Sequence, residues 1–150
     1  MRPERLKRFS LFAEFNEEDR DALVELLEER RLPAGKSAFR EGSEAEGLVL
    51  LVEGRLKLKS RRTGGVIGTI EACQHLGAAS LFALGPREVT ALADGPCTIW
   101  LLPRSGLPRL ADDAPRTAFR LAEAVASELA GLARRGVRAA IDGEGGDGDE

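Results

Sequence analysis

A chain of 150 residues that is 43% hydrophobic and 31% charged has the composition of one compact domain with a real core. That excludes a collagen-like chain, a coiled-coil rod and a wholly disordered protein. The formal charge of -3 conceals a split: five of the 25 acids lie in residues 142–150 (DGEGGDGDE), which leaves residues 1–141 with 20 acids against 22 bases, a balance of +2.

The N-terminus, MRPERLKRFSLF, carries charges but no apolar signal core. The longest apolar run, residues 47–52, is far short of the roughly 20 residues that a membrane span needs, so a cytoplasmic protein is expected. Asn16 followed by Glu17, Glu18 and Asp19 reads as a helix start, with a capping side chain and acids in the first turn. Leu23, Leu26 and Leu27 mark its apolar face, and Pro33 and Gly35 place its end near Arg31.

From about residue 31 to 103 short apolar or alternating segments alternate with glycine turns. Residues 48–52 read as a buried strand, Glu53-Gly54 as a turn, and residues 55–60 as a strand with Leu56 and Leu58 facing inward. Thr63-Gly64-Gly65 turns the chain into a strand at 66–70, and residues 89–93 and 98–102 form later strands. Many short strands with regular turns predict a closed or double-sheet β architecture. Residues 115–135 then read as an alanine-rich helix. The Gly- and acid-rich residues 142–150 cannot form a core and are expected to be a disordered tail.

The segment 76–90, LGAASLFALGPREVT, stands apart. A Gly-opened turn leads into small residues and ends in Pro-Arg, an arrangement able to aim backbone N–H groups and one guanidinium at a phosphate-sized anion.

In order and spacing, PAGKSAFREGSEAEGLVLLVEGRLKL, a GG turn, IEACQHLGAASLFALGPREVTALA, CTIWLLPRSGLPRL and a long terminal helix resemble the cyclic nucleotide-binding domain over roughly residues 9–135. This is the sensory module of cyclic AMP receptor protein-like regulators. Gly35, Gly42, Gly54 and Gly77 fall where that family's β-roll turns. Gly77 and Arg87 fall on its phosphate-binding cassette, commonly F-G-E-L-A-L-(spacer)-P-R-A-A-T. The resemblance implies a mainly β domain over residues 1–141: an eight-stranded double-stranded β-helix, or jelly roll, with flanking helices and a long C-terminal helix.

The same resemblance implies a ligand site formed by Gly77, Ala78, Ala79, Arg87, Glu88 and Thr90, with cyclic AMP or cyclic GMP as ligand and no other cofactor. In the family the arginine pairs with the cyclic phosphate and a glutamate accepts from the ribose 2′-hydroxyl. Here Ala78 stands at the glutamate's place, and Glu88 replaces the small residue after the arginine. Losing the sugar acceptor costs on the order of 1–3 kcal/mol. Glu88 either faces the phosphate, pairs with Arg87, or faces solvent, since strand neighbours alternate sides. Residues 129–133, LAGLA, offer no polar contact to a base.

Leu121, Val125, Leu129 and Leu132 repeat at helical steps and form a candidate dimer seam, as the corresponding helix does in the family. The chain shows no helix-turn-helix, and its tail is acidic, so DNA is not an expected partner. There is one histidine, His75, read as a surface turn residue; Cys73 and Cys97 read as reduced core or turn residues, and neither they nor His75 complete a zinc set. With no paired-acid or nucleophile constellation, an enzyme is not expected. The sequence thus points to a regulatory protein that senses a phosphate-bearing ligand through Arg87 and the 77–79 backbone. The alternative is a degenerate domain serving as an interaction or dimerisation module.

Overall fold

The computed structural model describes the backbone of residues 1–148, and side chains through residue 143. Among these residues eight strands form two antiparallel four-stranded sheets, flanked by helices. The strands are β1 (Glu28–Leu32), β2 (Ser37–Phe39), β3 (Gly47–Glu53), β4 (Arg55–Ser60), β5 (Gly65–Glu71), β6 (His75–Leu76), β7 (Thr90–Ala93) and β8 (Cys97–Pro103). One sheet has the order β1-β8-β3-β6 and the other β2-β7-β4-β5, which is the double-sheet jelly roll.

The continuous apolar run of β3 is explained by burial on both faces. Val49 and Leu51 point between the sheets with Leu56, Ile70, Ala91, Ala93, Ile99 and Leu101. Leu48, Leu50 and Val52 alternate to the opposite side, where they meet a helical layer. β8 divides likewise, with Trp100 and Leu102 on the helical side. The indole N–H of Trp100 donates to Glu29 Oε1 at 3.2 Å, so its burial leaves no polar group orphaned.

The helical layer begins with two short 3₁₀ segments, Pro3–Arg8 and Ser10–Phe12. Leu6, Phe9, Phe12 and Phe15 recur every third residue and are 0 to 5% exposed, so this period was visible in the sequence. Helix α1 (Glu17–Val24) opens on a full capping box: Asp19 N–H donates to Asn16 Oδ1 at 2.8 Å, and Asn16 N–H donates to Asp19 Oδ2 at 3.0 Å.

The helix ends at Val24, seven residues before the expected Arg31. Residues EERRL instead form edge strand β1, paired antiparallel with β8 from Glu28↔Leu101 to Leu32↔Cys97. Only Leu32 of the five is buried, so β1 lacks an alternating apolar signature and carries the charges that keep an edge from pairing with other chains.

After β8 come α2 (Leu107–Asp113) and α3 (Pro115–Gly148). α3 continues past the expected end near residue 135. Of the expected disordered tail, residues 142–150, the backbone of 142–148 continues α3, while the side chains from 144 onward and the backbone of 149 and 150 lie outside the described residues. The two cysteines are free, Cys73 in a turn with φ +74° and Cys97 buried with its thiol donating to the Arg55 carbonyl at 3.0 Å.

Candidate functional site

Strand β6 leads straight into a 3₁₀ turn, Ala78–Leu81, with Gly77 as its left-handed N-cap at φ +79° and ψ 31°. Only glycine takes this conformation freely, and a β-carbon there would also collide with Nη1 of Arg87. The opening N–H groups of the turn, at Ala78 and Ala79, have no intrahelical partner by construction. Ala78 is 4% exposed and shares a core cluster with Leu81, Leu48, Leu50, Leu121 and Val125, while Ala79 is exposed.

Arg87 is brought to the same place from the other end of the cassette. The loop 41–46 runs beside residues 85–87: Arg87 N–H donates to the Ser43 carbonyl at 2.7 Å, and the Arg87 carbonyl accepts from Gly42 N–H at 2.8 Å. Thr90 Oγ1 accepts from Glu41 N–H at 2.9 Å, so its hydroxyl fastens the loop to the cassette. The side chain of Arg87 lies inside the protein, with the residue 7% exposed. Nη2 donates to the Gly47 carbonyl at 2.9 Å, and the guanidinium carbon sits 4.3 Å from the centroid of the Phe39 ring. Gly47 can present that carbonyl because β3 there runs against β8 with no room for a side chain: a β-carbon would collide with the Leu102 carbonyl.

Nε of Arg87 is buried and has no hydrogen-bond partner. Burial pushes the guanidinium below its usual pKa, while the Glu46 carboxylate acts in the opposite direction. A buried, incompletely satisfied cation beside the opening of a backbone turn is suited to receiving an anion.

Glu88 is exposed, which selects the solvent-facing alternative among the three open in the sequence. Its charge therefore acts on the cassette through water and is weakened accordingly. Gly77, Ala78 and Arg87 come together, whereas Ala79 stands at the surface, Glu88 in solvent, and Thr90 at the start of β7, where it holds the 41–46 loop through Glu41 N–H.

Helix α3 covers the cassette turn from the other side. Leu121 and Val125, 0% and 1% exposed, pack into the cluster that holds Ala78 and Leu81, so these two members of the expected seam belong to the domain's own core. Leu129 and Leu132, at 39% and 51%, remain exposed. The first turn of α3 is fastened to α1. Buried Asp19 accepts from the Thr117 hydroxyl at 2.6 Å and from Arg120 Nη1 at 2.5 Å.

Further along, Nε2 of His75 lies 2.5 Å from Glu128 Oε1. His75 is thus a half-buried member of β6 bonded to α3, and not the surface turn residue expected from its sequence setting. That role had no local signal, because its partner is 53 residues away. A cleft of about 550 Å³ opens beside this contact, between the N-terminal segment and α3, lined among others by Ser10, Glu14, Phe15, Glu123 and Glu128.

Comparison with known proteins matches these features. Residues 29–114 match the cyclic nucleotide-binding domain family. The fold superposes with a TM-score of 0.77 on the N-terminal domain of a transcriptional regulator from Streptomyces coelicolor, at 28% identity over 85% of this chain and 94% of that one. A cyclic nucleotide-binding protein from Geobacter metallireducens superposes at TM-score 0.71 and 24% identity, over 87% of this chain and 97% of that one. The catabolite activator protein of Thermus thermophilus gives 0.67 and 27%, over 88% of this chain and 60% of that one. A comparison with curated protein sequences returned no match. No helix among the described residues is long and apolar enough to cross a membrane. With its jelly roll, its glycine-capped cassette turn and its buried arginine, the chain belongs to the cyclic nucleotide-binding domain family.

Proposed function

We propose that this domain is a ligand-responsive regulatory module, in which a phosphate-bearing anion docks at Arg87 and the 77–79 backbone and is read out by movement of α3. The observation that carries this reading is the buried Nε of Arg87, which has no partner in a cassette otherwise laced with hydrogen bonds. Leaving a buried donor unsatisfied costs about 1–3 kcal/mol, and an incoming anion would recover it. The route to output is short, because Ala78 and Leu81 share a core cluster with Leu121 and Val125 of α3.

A cyclic nucleotide would bind weakly. Ala78 supplies no acceptor for a sugar hydroxyl, and its own side chain is directed into the core. Arg87 is also covered, so a ligand must displace part of what shields it. Calorimetric titration with cyclic AMP and cyclic GMP is expected to give a dissociation constant no tighter than about 10 μM, abolished by Arg87→Gln. Sub-micromolar binding would overturn the weak-pocket reading, and absence of any heat at millimolar nucleotide would overturn nucleotide sensing.

A second reading, a constitutive interaction module that pairs with another copy of itself, is favoured by one specific observation. Beyond Gly131 every described residue of α3 is exposed, including Leu132, Val137 and Ile141. A helix standing clear of its domain with apolar side chains on its surface is an assembly element in search of a second helix.

A further inference from the structure

We propose that His75 and Glu128 form a proton-sensitive latch that holds α3 against the cassette, closed when the imidazole is protonated and loosened when it is neutral. The pair joins the two parts whose relative movement the functional reading requires. His75 sits on β6 two residues before the Gly77 cap, and Glu128 lies on α3 one turn beyond the last fully buried side chain, Val125. At 2.5 Å the two side chains are within hydrogen-bond reach, a contact that becomes charge-assisted when the imidazole carries its second proton, and they are 11% and 31% exposed.

Position makes this contact decisive for the helix. α3 is attached in sequence by the Asp19 cluster at Thr117 and Arg120, by Leu121 and Val125 in the core, and by Glu128. From residue 132 onward the described residues are exposed, so the latch is the outermost polar fastening of α3 to the domain. Opening it lengthens the free part of the helix by about one turn without disturbing the buried attachments.

The chemistry supplies the sensitivity. Histidine is the side chain whose charge changes between about pH 5 and pH 8. Protonated, it offers Glu128 both a charge and a donor; neutral, it offers at most a donor. Of the other charged groups near Glu128, Arg120 is already committed to Asp19, and Glu14 from the N-terminal segment and Glu123 from α3 reach solvent. From β3, the residues opposite β6 are apolar Val49 and Leu50. No competing cation therefore stands beside the carboxylate among these neighbours. The contact to Glu128 is therefore strongest at the acid end of that range, where the imidazole brings both charge and donor, and weaker at the alkaline end, where it brings at most a donor.

The sequence contains a single histidine, which makes the test clean. Hydrogen–deuterium exchange of residues 121–131, corrected for intrinsic rates, is followed between about pH 5 and pH 8. The proteins compared are wild type, Glu128→Gln, His75→Gln and the double variant. Wild-type exchange in this segment is expected to be about fivefold slower at the acid end. Either single change should remove that pH dependence, and the double variant should match the singles. Glu128→Gln is nearly isosteric at a part-exposed site and keeps the test open should His75→Gln fold poorly. A pH dependence unchanged in Glu128→Gln, or single effects that simply add, would overturn the latch. No ligand enters the measurement, so its failure and a failed nucleotide titration are separate results.

Discussion

Arg87 shows how one side chain can be both a structural tie and a candidate receptor. It bonds to Gly47, stacks on Phe39 and crowds against Gly77, so the cassette's two ends are held together by the group that would meet a ligand. The role of Gly77 follows from that crowding. Gly77→Ala places a β-carbon in a left-handed conformation and against Nη1, at a cost of about 1–3 kcal/mol. Thermal unfolding should register a drop of roughly 3–10 °C, and any anion affinity should fall with the displaced arginine. An unchanged melting temperature would mean that the turn has a different conformation. Gly77 and Arg87 were legible in the sequence through their cassette positions, and the burial of Arg87 was not. Burial depends on the Gly47 carbonyl and the Phe39 ring, 40 and 48 residues away, which no local pattern relates to it.

Among elements, the clearest organiser is the contact between α1 and α3. Asp19 serves twice: it completes the capping box of α1, and it receives Thr117 and Arg120 from α3. Burial by itself would raise the Asp19 pKa, but the hydrogen bonds from Thr117 and the Asn16 backbone, together with Arg120, outweigh it and leave the carboxyl below its usual value. Because the folded value is depressed, the contribution to stability is complete above the ordinary carboxylate value of about 3.9 and is lost as pH falls below it. Asp19→Ala should destabilise the fold by about 2–4 kcal/mol near neutral pH. The figure sits toward the lower end because Arg120 is 39% exposed and remains hydrated without its partner. In melting curves the gap between wild type and Asp19→Asn should narrow from pH 7 to about pH 3; a constant gap would assign Asp19 a packing role alone. The Asn16 cap was readable from sequence, and so were the segments of β3, β4, β5, β7 and β8. Strand β1 was not, because EERRL has no apolar alternation and becomes a strand only by pairing with β8. The long reach of α3 was also hidden, since glycines after residue 142 argue against a helix in any local reading.

At the scale of the whole molecule, α3 poses a problem of stability that a second copy would solve. Residues 129–143 span roughly 22 Å of helix, and an isolated helix of that length is marginal in water. Leu129, Ala133, Gly136 and Ala140 recur at alternating steps of four and three, flanked by the exposed Leu132, Val137 and Ile141. Under the self-pairing reading proposed above, these positions would form a coiled-coil seam whose small residues let two helices approach closely. Leu121 and Val125 are excluded from it by their burial in the domain core, so the proposed seam begins where they leave off. The eight large aliphatic side chains of two such helices gain roughly 1–2 kcal/mol each when their exposed parts are covered, a total of the same order as the association cost of about 4–15 kcal/mol, so a dimer would be concentration-dependent and not obligate. Light scattering should therefore give twice the chain mass at tens of micromolar and a falling mass on dilution. Leu129→Glu and Leu132→Glu should each yield monomers that keep their far-ultraviolet circular dichroism up to residue 128, because both side chains are exposed and support no core. A wild type that stays monomeric at about 100 μM would remove self-pairing, and variants that lose the jelly roll itself would show that the seam is instead part of the domain's packing.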